Sequence, residues 1–122
     1  MNINDRPIDF EIIQGDDHAI QVTFKDEDGV AINITGYTVY FTVKKKPDAD
    51  EDDSTAVLKK EVTSHTDPTN GITNIEIAKA DTEDVEPRRY FYDLQLKDGS
   101  GKISSSKYGV LEIIPDITNR TS

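Results

Sequence analysis

Apolar positions along this chain recur with a period of two, in short runs separated by turn residues, which is the pattern of half-buried β-strands. Residues 8–14 open the series and Gly15-Asp16-Asp17 breaks it. From His18 to Lys25, Ile20, Val22 and Phe24 alternate with Gln21 and Thr23, so one face is buried and the other is wet. Asp26-Glu27-Asp28-Gly29 reads as a tight polar turn in which Gly29 is free to take positive φ. Thr35-Gly36 marks a second break, where the chain is expected to cross toward another sheet. Tyr37 to Lys45 is the clearest strand: Tyr37, Val39, Phe41 and Val43 share the face expected to be buried, and Thr38, Tyr40, Thr42 and Lys44 share the other.

The pattern weakens over residues 46–53, a charged loop containing Pro47 that no strand ladder could use. It resumes over residues 55–63 with Ala56, Leu58 and Val62 on one parity, but Lys60 interrupts that face, which predicts an edge strand guarded by Lys59 and Lys60. Asp67-Pro68-Thr69-Asn70-Gly71 is a strong turn signal and predicts a hairpin into a return strand over residues 72–78, with Thr73, Ile75 and Ile77 on one side. Residues 80–87 suit one helical turn, with Asp81 as N-cap and Pro87 as the stop. Tyr90, Tyr92, Leu94 and Leu96 then alternate against Phe91, Asp93, Gln95 and Lys97, and Asp98-Gly99-Ser100-Gly101 turns the chain into a last strand over residues 102–114. The sum is an all-β fold: an immunoglobulin-like antiparallel β-sandwich of seven or eight strands with one short helical turn, a closed barrel being the alternative.

Size and composition narrow this picture. A chain of 122 residues predicts a single domain spanning 1–122, with a core of about residues 8–118 and short flexible termini. An apolar fraction of 34% is low, yet a sandwich with one solvated face per sheet needs no more. The net charge of −10 repels phosphate backbones and anionic lipid, so neither nucleic acid nor membrane is expected as a partner. Without cysteine, disulfides and thiolate metal sites are excluded, and no run of apolar residues is long enough to span a bilayer.

Candidate chemistry is sparse. His18 and His65 stand alone, with no serine or aspartate at nucleophile spacing, and carboxylates are so abundant that a chance pair carries no weight for glycoside hydrolysis. No cofactor motif is present, and the chain is expected not to be an enzyme. Asp48, Asp50, Glu51, Asp52 and Asp53 could offer oxygens to calcium, but the run lacks the glycine and terminal glutamate of an EF-hand, so a solvated loop is the better reading. Asn33-Ile34-Thr35 and Asn119-Arg120-Thr121 match the glycosylation acceptor by chance. The stretch from Asp84 to Tyr92 has the layout of a tyrosine corner, in which the Tyr90 hydroxyl ties the helical turn to backbone just upstream and Tyr92 follows as a core residue. Gly29, Gly36, Gly71, Asp84, Tyr90 and Tyr92 are thus candidate structural residues. Lys59, Arg88, Arg89 and Tyr40 are the candidate interaction residues, since Tyr and Arg are the usual contact types.

Taken in order, Gly15-Asp16-Asp17, Ile20 to Phe24, Asp26 to Gly29, Ile34-Thr35-Gly36-Tyr37 and Val39 to Lys44 resemble the opening of the N-terminal domain of the phage baseplate upper protein. Ala80-Asp81-Thr82, Tyr90-Phe91-Tyr92-Asp93-Leu94 and residues 109–118 resemble its later half, so the likeness covers about 9–118. The shared features are turn and strand signatures and bring no catalytic residue. The resemblance implies an immunoglobulin-like assembly module of a phage or prophage virion, in tail or baseplate, oligomeric in the particle and attached to other virion proteins. The family's protein continues into a further region, which leaves two expectations open: an isolated domain, or a small self-contained virion protein. The competing expectation is a carbohydrate- or cell-surface-binding module, in which Tyr37, Tyr40, Tyr90, Tyr92 and Tyr108 would stack on sugars if exposed.

Overall fold

The computed structural model describes residues 8–45 and 56–115, with backbone alone for residues 105–107. Among them are seven strands: β1 (Phe10–Ile13), β2 (His18–Thr23), β3 (Thr38–Lys44), β4 (Leu58–Val62), β5 (Ile72–Ile77), β6 (Arg88–Lys97) and β7 (Ile103–Ile114). A 3-10 turn at Pro68–Asn70 precedes β5, and a single α-helical turn, α1 (Lys79–Thr82), follows it. The protein is mostly β, as the period-two pattern predicts.

Five strands form one sheet in the order β1-β7-β6-β3-β4, and β2 and β5 form a second. The inward residues of β3 and β6 are the alternating apolar sets: Val39, Phe41 and Val43, and Tyr90, Tyr92, Leu94 and Leu96, all buried. Tyr37 lies just before β3 and is half-buried. Ile20 and Val22 of β2 with Ile75 and Ile77 of β5 join them in one apolar cluster, so both sheets share a core. Burial of each such side chain contributes about 1.5–3 kcal/mol, which makes this cluster the main source of cohesion.

Two expectations about strand pairing are corrected. β1 pairs parallel with β7, Phe10 beside Leu111 and Ile13 beside Ile114, so the fold is not wholly antiparallel. Side-chain alternation is the same for either direction of pairing, and only the connectivity decides it. Nor do β4 and β5 form a hairpin: β5 pairs antiparallel with β2, Ile20 opposite Ile75, while β4 pairs with β3. The residues from Asp67 to Gly71 hold the 3-10 turn instead, with Gly71 N–H donating to the Pro68 carbonyl at 3.1 Å, and carry the chain from one sheet to the other. Gly71 is at φ +73°, and a Cβ there would stand 2.6 Å from the Phe24 carbonyl oxygen and 2.7 Å from that of Ile32, so only glycine fits.

β4 occupies the sheet edge, with Lys59 exposed and Lys60 half-buried. Lys60 reaches Asp81 of α1 at 2.7 Å, an ion pair from the five-stranded sheet to the helical turn that follows β5. Asp81 does not occupy the N-cap, which is Ala78; its carboxylate instead accepts the Ala78 N–H at 2.7 Å from inside the turn. Asp17, from the turn between β1 and β2, accepts the Lys79 N–H at 2.8 Å. Two carboxylates thus satisfy donors that a helical turn this short leaves open.

Candidate functional site

The outward face of the five-stranded sheet is built by the odd parity of β6 and its neighbours. Register places Lys59, Thr42, Asp93 and Tyr108 in one row across β4, β3, β6 and β7, and Glu61, Tyr40 and Gln95 in the next. Arg89 lies on the same face and pairs with Glu112 at 3.3 Å. Tyr40 is half-buried, while Tyr108 is 76% exposed. A register shift between Leu94 and Gln95 re-phases β7, and beyond it Ile103, opposite Lys97, is turned to solvent. Of the four candidate interaction residues, Lys59, Arg89 and Tyr40 therefore share a face. Arg88 has the opposite parity: it lies with its guanidinium 5.5 Å from the Tyr90 ring centroid and its Nε donating to the Arg89 carbonyl, at the end of the core.

The candidate structural residues separate by role. Gly29 and Gly36 take φ +80° in exposed turns, and the Gly29 N–H closes its turn on the Asp26 carbonyl at 3.0 Å. The Tyr90 ring is fully buried and its hydroxyl donates to the Glu86 carbonyl at 2.5 Å, tying β6 to the segment before it. Asp84 is exposed in that segment, which is held instead by the Gln14 side-chain amide donating to the Val85 carbonyl at 2.7 Å. Thr82, fully buried, accepts the Gly15 N–H at 2.9 Å.

Tyr92 has a partner that sequence spacing could not reveal. Its hydroxyl donates to the Asp9 carboxylate at 2.9 Å, and its ring packs edge-on to Phe10 at 5.2 Å. Gly109 lies opposite Tyr92 in the ladder, and a Cβ there would collide with the Asp9 carboxylate. Burial, and then the Asp9 carboxylate, push the Tyr92 hydroxyl well above the ordinary tyrosine range; burial also raises Tyr90.

Both histidines are structural ties. His65 Nε2 donates to the Tyr37 carbonyl at 2.7 Å, leaving Nδ1 to accept from the Thr73 hydroxyl at 2.9 Å, so the ring bridges the two sheets. His18 Nε2 accepts the Ile13 N–H at 3.0 Å. Among the described residues no group of three or more His, Asp or Glu is placed to hold a metal, and no helix is long and apolar enough to cross a membrane. The acidic run Asp48–Asp53 and the acceptor at Asn119 lie outside the described residues.

What remains as exposed recognition surface is sheet face and strand edge. The edges differ in chemistry. β4 carries Lys59, Lys60 and Glu61, and β1 is four residues long. β5 is closed at its start by two hydrogen bonds between Ile72 and Asp67, both 3.0 Å. β2, His18-Ala19-Ile20-Gln21-Val22-Thr23, holds no Asp, Glu, Lys, Arg or Pro. Compared with known families, residues 1–98 match the model of the BppU N-terminal domain; this span contains β1 to β6 and stops before β7. Comparison with curated proteins finds no match.

Proposed function

The chain belongs to the family of BppU N-terminal domains, and from that premise we propose that it is a structural attachment module of a phage or prophage virion, working without catalysis. The family match, which covers β1 to β6, is the observation that carries the reading. Membership makes the chain a component of the phage baseplate, and hence of the virion, associated with other virion proteins. On this reading the two sheets are the halves of an immunoglobulin-like sandwich. The shared apolar cluster and the Tyr90–Glu86 tie at the turn before β6 support that assignment.

Attachment would use sheet edges and a rigid outward face, whose affinity is multiplied when several copies engage a symmetric particle. The carbohydrate-binding alternative keeps one favourable observation, the 76% exposure of Tyr108; Tyr90 and Tyr92 are buried in the core. Purified particles of the source phage should contain the chain by mass spectrometry, and particles from a deletion strain should lack the proteins attached through it. Particles of unchanged composition after deletion would remove the proposal. Binding of the isolated chain to host cell-wall polysaccharide, abolished by Tyr108→Ala, would favour the alternative.

A further inference from the structure

Resting on the reading of the chain as an attachment module, we propose that the outer edge of β2, which among the described residues no other strand pairs with, is where it holds its neighbour, by accepting an extended segment that is uncharged at its centre and basic at its ends. The phase of the β2–β5 ladder fixes which backbone groups are offered. The Phe24 N–H donates to the Gly71 carbonyl at 2.9 Å, so in an antiparallel ladder Val22 and Ile20 also bond toward β5. The N–H and C=O groups of Ala19, Gln21 and Thr23 therefore point to the other side, and their side chains are exposed. Residues 30–32 do not cover that side. The Ile32 N–H takes the Phe24 carbonyl at 3.0 Å, and Ile32 also crowds Gly71, which places this segment in line with β5.

Proteins blunt an exposed edge with charge, proline, a bulge or shortness. β4 and β1 are blunted in those ways, and the start of β5 is closed by Asp67. β2 is not blunted, in a chain where 31% of residues are charged. The occupant's charge follows from what frames the edge. Asp16 and Asp17 stand before β2, Asp26, Glu27 and Asp28 stand after it, and Glu76 lies opposite Ala19. A second copy would bring the same carboxylates against themselves, on a chain of net charge −10. An added strand with lysine or arginine at both ends would pair its backbone along Ala19–Thr23 and its cations with these acids.

The test uses the full chain, isotope-labelled, and two synthetic peptides that share a central Thr-Val-Thr-Ile-Thr-Val, one ending in Lys-Lys on both sides and the other in Glu-Glu. The lysine-ended peptide should slow amide exchange at Ala19, Gln21 and Thr23 about tenfold or more, leaving the β4 amides unchanged. It should bind about tenfold more tightly than the glutamate-ended one, by a margin that shrinks as salt rises. Gln21→Pro removes an outward N–H that β5 does not use, and an Ala19→Lys, Thr23→Lys double variant adds edge charge without touching the backbone. Each should melt with the parent and lose the peptide. Protection at β1, β4 or β5, equal binding of both peptides, or unaltered binding by the double variant overturns the inference. A dimer by sedimentation that Gln21→Pro abolishes would overturn the choice of occupant. If the double-lysine chain still enters particles normally, the β2 edge is not the attachment site while the attachment reading stands; absence of the parent chain from particles removes that reading itself.

Discussion

The side chains that matter most here act through single backbone contacts. Gly71 is the sharpest case: at φ +73°, with two carbonyl oxygens where a Cβ would stand, Gly71→Ala must displace backbone. It should destabilise by about 2 kcal/mol or more, read as a lower urea midpoint at unchanged slope. Tyr90→Phe keeps the buried ring and removes the bond to the Glu86 carbonyl, for an expected loss of about 1 kcal/mol by the same measurement. The raised tyrosines give a direction in pH. Because the folded protein holds the Tyr92 and Tyr90 protons more tightly than the unfolded chain, their contribution is complete below pH 10 and declines as pH rises above it. Tyr92→Phe should flatten that alkaline decline; a stability curve of the same slope in variant and parent would show that the hydroxyl is not its source.

Between elements, the contacts that decide topology are the ones local pattern does not encode. The alternation of Val39, Phe41 and Val43, and of Tyr90 to Leu96, was readable because one face of each strand is buried, and so was the edge position of β4 from Lys60 breaking that alternation. The partner of β5 was not, since a turn signal at Asp67–Gly71 says that the chain bends and not which sheet it enters. Nor was the Asp9–Tyr92 bond, whose partners meet only because β1 lies along β7 and Gly109 leaves room. α1 is held on both flanks by such contacts, with Asp17 on one and Lys60 on the other. Asp81 is held below the usual carboxylate range first by its bond to Lys60. The ion pair therefore stabilises fully above about pH 4 and is lost as pH falls through the lowered value. With both side chains about a quarter exposed, Lys60→Met should cost no more than about 1 kcal/mol at neutral pH and progressively less as the pH is taken down through the lowered Asp81 value, as followed by thermal melts.

For the molecule as a whole, the candidate site was less legible than the fold. Residue type suggested Lys59, Arg88, Arg89 and Tyr40, of which the sheet gathers three on one face, but which β2 backbone groups point away from β5 is a property of backbone phase, visible only once Phe24 and Gly71 are paired. The family match over residues 1–98 leaves out β7, the strand that joins β1 to β6. A fragment of residues 1–98 should thus fail to give a cooperative melt, and a sharp transition by circular dichroism would contradict the part assigned to β7. The parallel β1–β7 pair also sets a timetable for the chain. Phe10 meets Leu111 only after nearly everything between them has been synthesised, so during translation β1 waits without its neighbour until β7 has left the ribosome. Until then its apolar residues, Phe10, Ile12 and Ile13, are available to other nascent chains, which makes the rate of synthesis, and not only the final stability, a determinant of yield.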